Sequence, residues 1–160
     1  MAELDVKELA AYIQKMYFEE TGKEISPIKL QKTLYFLFAY WGGTVRKSKN
    51  YPNLVEEDYS KFSEYLFDED IEAWVYGPVI PAVYHEKNLG SFFNKDLFKD
   101  KEKLKDFIDG LLKELFAVSD FTLVEISHND NAWKNTFNFD ENYHNNVISK
   151  EDIIEEYARK

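Results

Sequence analysis

Apolar residues recur at helical spacing through Val6, Leu9, Ala10, Ile13, Met16 and Tyr17. This predicts a first helix over roughly Asp5 to Thr21. Asp5 with Glu8 three residues on forms a capping box at its start, and Gly22 suits its C-terminal cap. Ser26 and Pro27 then fit the N-cap and first position of a second helix. From Thr33 to Trp41 that helix carries no charge, so it is apolar nearly all round and belongs inside. It is expected to end at Gly42-Gly43 and to be the central helix, residues 27–41. Residues 44–54 read as an exposed loop with three basic residues. Val55 to Leu66 reads as a short acidic helix with Tyr59, Phe62 and Leu66 on one face.

The pattern then changes. Ile71 to Tyr76 is rich in β-branched and aromatic residues, as a short strand is. Gly77-Pro78 is expected to stop that strand, since Pro78 cannot donate to a ladder. Pro81 suits the first turn of a helix near Val79 to Glu86, closed by Asn88-Leu89-Gly90. Ser91-Phe92-Phe93 is open between a loop and a second short strand. Leu104, Phe107, Ile108, Leu111, Leu112, Leu115 and Phe116 predict a helix over Lys101 to Phe116. Ser119 or Asp120 caps the next, Phe121 to His128, which Asn129-Asp130-Asn131 breaks. Ala132-Trp133 starts another short piece. Residues 136–147, rich in Asn, Asp and aromatics, read as a loop, and Ser149 caps a last helix through Tyr157. The expected fold is mostly α, of the α+β kind: a compact helical domain with a small β element near residues 67–76.

Composition narrows this picture. A chain of 160 residues with 44% hydrophobic content suits one domain, 1–160, with a sizeable core. It has no cysteine, which excludes disulfides, thiol catalysis and Cys-ligated metal. The start Met1-Ala2-Glu3-Leu4-Asp5 is acidic where a signal peptide needs a basic region, and the longest apolar run, Leu34 to Trp41, is too short to span a bilayer. A cytoplasmic location is expected. The net charge of −10 argues against non-specific nucleic-acid binding and fits a basic protein partner. Residues 56–72 hold eight acids against Lys61 alone.

Little catalytic chemistry is visible. Nucleotide-binding glycine loops, H-E-x-x-H and G-x-S-x-G are all absent. Neighbours in a helix point about 100° apart, so Ser127-His128 does not make a hydroxyl–imidazole pair. A hydrolase built on His128 with Asp130 or Glu125 lacks a nucleophile. His128 is instead expected to be structural, bonding within Asn129 to Trp133 or to the Gly77-Pro78 corner. Trp74, Tyr76 and Trp133 are expected to form one cluster against helix two, near Tyr35. Lys29 and Lys32 lie in the first turns of that helix, where its dipole disfavours cations. Either nearby carboxylates pair with them or they face a partner's acidic group. A helix-turn-helix made of the first two helices is an alternative that the apolar second helix and the net charge count against.

Read together, these segments resemble a known family. Ser26-Pro27-Ile28-Lys29-Leu30-Gln31-Lys32-Thr33-Leu34-Tyr35-Phe36 is similar to the opening of the Panacea antitoxin domain family, which includes SocA-like and GepA-like phage-associated proteins. Ile71 to Tyr84 resembles its most specific motif, I-x-A-W-x-Y-G-P-V-x-P-x-[VL]-Y. Leu123 to His128 with Trp133, and Ile148-Ser149 with the last helix, resemble two further segments. The link between Trp41 and Phe67 is longer than the family's usual one. The resemblance implies an antitoxin-type protein that neutralises a cognate toxin by direct protein binding, with no catalytic activity and no cofactor or metal. It leaves open an adaptor that delivers a bound toxin to a protease. The motif positions it marks are Lys29, Lys32, Tyr35, Trp74, Tyr76, Gly77, Pro78, Val79, Pro81, Tyr84, His128 and Trp133.

Overall fold

The computed structural model describes residues 1–137 and 146–160; the greater part of the Asn- and Asp-rich 136–147 segment, with His144, lies outside the described residues. Among the described residues there are seven α-helices: α1 (Val6–Thr21), α2 (Pro27–Asn50), α3 (Pro81–Tyr84), α4 (Glu102–Phe116), α5 (Asp120–His128), α6 (Asn131–Thr136) and α7 (Lys150–Ala158). Three short strands, β1 (Glu72–Trp74), β2 (Gly77–Val79) and β3 (Asn146–Val147), form an antiparallel sheet of order β2-β1-β3. The fold is mostly α with a small β element, as the pattern predicts. No described helix is long and apolar enough to cross a membrane.

Local signals set most helix ends. Asp5 accepts the N–H groups of Lys7 and Glu8, and Gly22 closes α1 at φ 74°. Glu8 turns to the Asn94 amide rather than completing a capping box. Ser26, Ser119 and Ser149 cap α2, α5 and α7 through their side chains. From Leu34 to Ala39 every residue of α2 is buried, and α1, α4, α5 and α7 pack round it.

Helix α2 does not stop at Gly42-Gly43 but runs on to Asn50. The two glycines form a notch for α7. A Cβ at Gly42 would sit 2.6 Å from Ile154 Cγ1, and one at Gly43 would sit 2.7 Å from the Tyr157 carbonyl carbon. Glycine inside a helix costs about 1 kcal/mol, and the close approach of α7 offsets it. Beyond the notch Val45 is fully buried. Arg46 bonds Glu64, Glu151 and Glu155, so it is not a loop cation. Ser48 accepts the Tyr59 N–H.

The expected acidic helix over 55–66 is also absent; apart from a 3₁₀ turn at Pro52–Leu54, this stretch is irregular. Tertiary partners take its polar groups. The carbonyls of Tyr65 and Leu66 accept from Glu3 and Leu4, and Glu3 accepts the Ser63 N–H. Tyr59 and Phe62 still pack together, edge-on to Trp41 beside Phe107. Leu89–Phe92 is a 3₁₀ turn, which settles the open reading of 91–93 against a strand.

Candidate functional site: a clamped β-hairpin

Gly77-Pro78 does not end the β element. It begins the return strand of a hairpin whose two-residue turn is Val75-Tyr76, with Trp74 opposite Gly77 and Ala73 opposite Pro78. Pro78 is tolerated because β2 lies at the sheet edge, where its missing N–H costs no ladder bond. Gly77 is required twice over. Its φ is 109°, and a Cβ there would lie 2.5 Å from Ser127 Oγ and 3.0 Å from Lys32 Cε.

Side chains of α2 cover that edge. Gln31 accepts the Ile80 N–H at 2.7 Å and donates to the Ile80 carbonyl at 3.2 Å. Lys32 donates to the Pro78 carbonyl at 3.0 Å. Together they stand in for a neighbouring strand. Lys29 points elsewhere. It donates to the carbonyls of Phe116 and Val118 at the end of α4, where the helix dipole favours a cation, and lies 3.7 Å from Asp120. Of the two readings of these lysines, a carboxylate neighbour applies to Lys29. Lys32 meets no carboxylate among the described residues, and burial pulls its ammonium down to about 8.

The turn is held from the other side. Trp133 Nε1 donates to the Trp74 carbonyl at 2.9 Å. His128 Nε2 lies 2.9 Å from the Val75 carbonyl; a carbonyl only accepts, so Nε2 carries the proton. The His128 ring stacks on Trp133 at 4.3 Å, and Trp133 on Phe137 at 4.9 Å. Four hairpin carbonyls, those of Trp74, Val75, Pro78 and Ile80, are thus held by side chains from three separate helices.

What remains outside is apolar. Tyr76 is 65% exposed, Tyr84 56%, Val75 49% and Ile28 40%. Trp74 is half-buried, edge-on to Tyr84 at 4.9 Å, with its Nε1 donating to Glu72. These residues surround an open cleft of about 390 Å³ that Lys32 and Phe137 also line. Val79 lines the cleft from β2, and Pro81 opens α3 behind it.

The expected cluster of Trp74, Tyr76 and Trp133 near Tyr35 does not form. Residues alternate across a strand, so the buried position on β1 falls to Ala73, while Glu72 and Trp74 face the other way. Trp133 is buried. The Tyr35 hydroxyl instead joins that of Tyr157 on Asp130 Oδ2, each at 2.6 Å. Asp130, Gln31 and Glu156, which caps the N–H groups of Asn131 and Ala132, are supports that sequence reasoning missed. The signal available for Asp130 was its place in an Asn-Asp-Asn break, which reads as a turn. Burial and the Asp130 carboxylate push both phenols well above their ordinary value.

The arrangement bears on the two alternatives. His128 has no carboxylate partner among the described residues, and Asp130 is occupied by two tyrosines. Helix α2, buried on all sides from Lys29 to Ala39, has no face to place in a DNA groove.

Fold and site together define a mostly α domain that displays a braced hairpin. The family model described as antitoxin SocA-like, Panacea domain, matches residues 55–134, and the chain belongs to this family. The match takes in the hairpin, His128 and Trp133; the Ser26–Phe36 segment lies outside it. No curated protein and no solved structure matches.

Proposed function

We propose that this protein is an antitoxin that neutralises a cognate protein toxin by direct binding, and that the hairpin face is its contact surface. The observation that carries the reading is the exposed group of Tyr76, Tyr84, Val75 and Ile28 on a hairpin that cannot shift without breaking its carbonyl bonds. Exposed aromatics on a rigid support make good anchors, since little ordering entropy is lost when they bind. Family membership supports the antitoxin role in general. Lys32 lies beneath the cleft with its ammonium buried on the Pro78 carbonyl, so the surface left to a partner is mainly apolar.

The test is co-expression with the open reading frame beside this gene. Wild type should restore growth and co-purify with its product. Tyr76→Ala combined with Tyr84→Ala should fold normally, yet lose rescue and co-purification. Full rescue by that double variant would move the contact surface elsewhere.

A further inference from the structure

A second open surface shares no residue with the hairpin cleft. It is a trough of about 640 Å³ between α2, α4 and α5. One wall is the row Phe36, Tyr40, Thr44 on α2, and the other is the row Phe107, Leu111, Leu115 on α4. Both rows step by four residues, so each is a ridge of the kind that seats the ridge of another helix between them. Leu104, Ile108 and Leu112 of α4 are buried inside, while Phe107 and Leu111 pack against the edge of the core and keep part of their surface open along the trough.

Two further observations say what would fit. Gly110 lies in the middle of α4 and lines the trough, and a Cβ added there would meet nothing within 4 Å. A glycine inside a helix weakens it, and no packing among the described residues requires the space. The other observation is charge. Asp106 and Glu114 line the trough, no Lys or Arg does, and neither acid is in an ion pair among the described residues. They lie eight residues apart on one helix, about 12 Å.

We infer that this trough is a docking site for an amphipathic helix of a partner protein. That helix is about three turns long, lays its apolar stripe over Gly110, and carries Lys or Arg at two positions seven or eight residues apart, facing Asp106 and Glu114. The site is independent of the hairpin and stands whether or not the hairpin binds a toxin.

The test uses three fluorescent 18-residue peptides with one leucine stripe: one with Lys at the two flanking positions, one with Glu there, and one broken by a central proline. Anisotropy titrations compare wild type, Gly110→Trp, the Asp106→Lys/Glu114→Lys double variant and Tyr76→Ala. Gly110→Trp fills the trough from a position with open space, so its melting temperature should not fall. Expected is binding of the Lys peptide at least tenfold tighter than of the Glu and proline peptides. Gly110→Trp and the double charge variant should each weaken it at least tenfold, and Tyr76→Ala should leave it unchanged. No binding of the Lys peptide, equal binding of the Glu peptide, or full binding by Gly110→Trp overturns the inference. Loss of binding in Tyr76→Ala would place the peptide on the hairpin and overturn it as well.

Discussion

Lys32 Nζ donates to the carbonyl of Pro78 across 3.0 Å, joining the central helix to the edge of the hairpin through one buried ammonium. Burial lowers that ammonium from 10.5 to about 8. Between those two values the unfolded chain holds the proton and the folded chain releases it, so folding stability rises with pH across that window and is flat below it. Comparison with Lys32→Met isolates the effect. The stability of wild type relative to the variant should be constant from pH 5.5 to 7.5 and should improve from pH 8 to 10, as read by urea unfolding at each pH. No change between pH 8 and 10 would mean the ammonium is solvated.

Two glycines should respond to alanine with opposite signs. Gly77→Ala puts a side chain at φ 109° and 2.5 Å from Ser127 Oγ, and should cost about 2–4 kcal/mol from backbone strain and overpacking together. Gly110→Ala meets open space and should gain about 0.5–1 kcal/mol of helix propensity. Equilibrium denaturation of the two single variants checks both. A Gly77→Ala protein as stable as wild type would contradict the described packing of the hairpin.

Trp133, which clamps the hairpin from α6, and Tyr76, on its turn, should separate stability from binding. Trp133 is 6% exposed and stacked with both His128 and Phe137, so Trp133→Ala should cost about 3–5 kcal/mol. Tyr76 is 65% exposed, so Tyr76→Ala should shift stability by no more than about 0.5 kcal/mol. On the hairpin reading it should nonetheless weaken toxin binding by about tenfold or more, as truncation of an interface anchor does. Calorimetric melting and titration of the purified pair measure the two quantities.

The acidic segment offers a kinetic prediction. Glu56, Glu57 and Asp58 are exposed, whereas Glu64 and Asp70 farther along are engaged by Arg46 and Lys150. Residues 56–72 are proposed to steer a basic partner, because interface charge acts mainly on association rate. Reversing Glu56, Glu57 and Asp58 to Lys should slow association and flatten its salt dependence, with stability changed by no more than about 0.5 kcal/mol per site. Stopped-flow association rates across a salt series decide it. Equal rates at low salt would return the segment to a solvated face.

The helices of this chain were legible because their signals are local: serine and aspartate caps, and apolar residues at helical spacing in α1 and α4. The hairpin motif was visible as a rigid corner, but its direction was misread. Gly77-Pro78 looks like a stop because proline cannot donate. Whether that matters depends on which side of the strand faces a neighbour, and at this edge the neighbours are Gln31 and Lys32, forty-odd residues earlier. The same holds for Gly42-Gly43, a local end signal that α7 turns into a packing notch.

By itself, the sequence determined the helical class, the burial of the central helix, the absence of thiol chemistry and the segments that mark the family, since each depends on residue type and short-range periodicity. Tertiary structure alone decided the roles within those segments. It made Gln31, Lys32, His128 and Trp133 clamps on backbone carbonyls, left Tyr76 and Tyr84 outside, and gave Asp130 to two tyrosines. The physical reason is that a buried carbonyl or hydroxyl must find a partner, and which one it finds depends on helices brought together from distant parts of the chain.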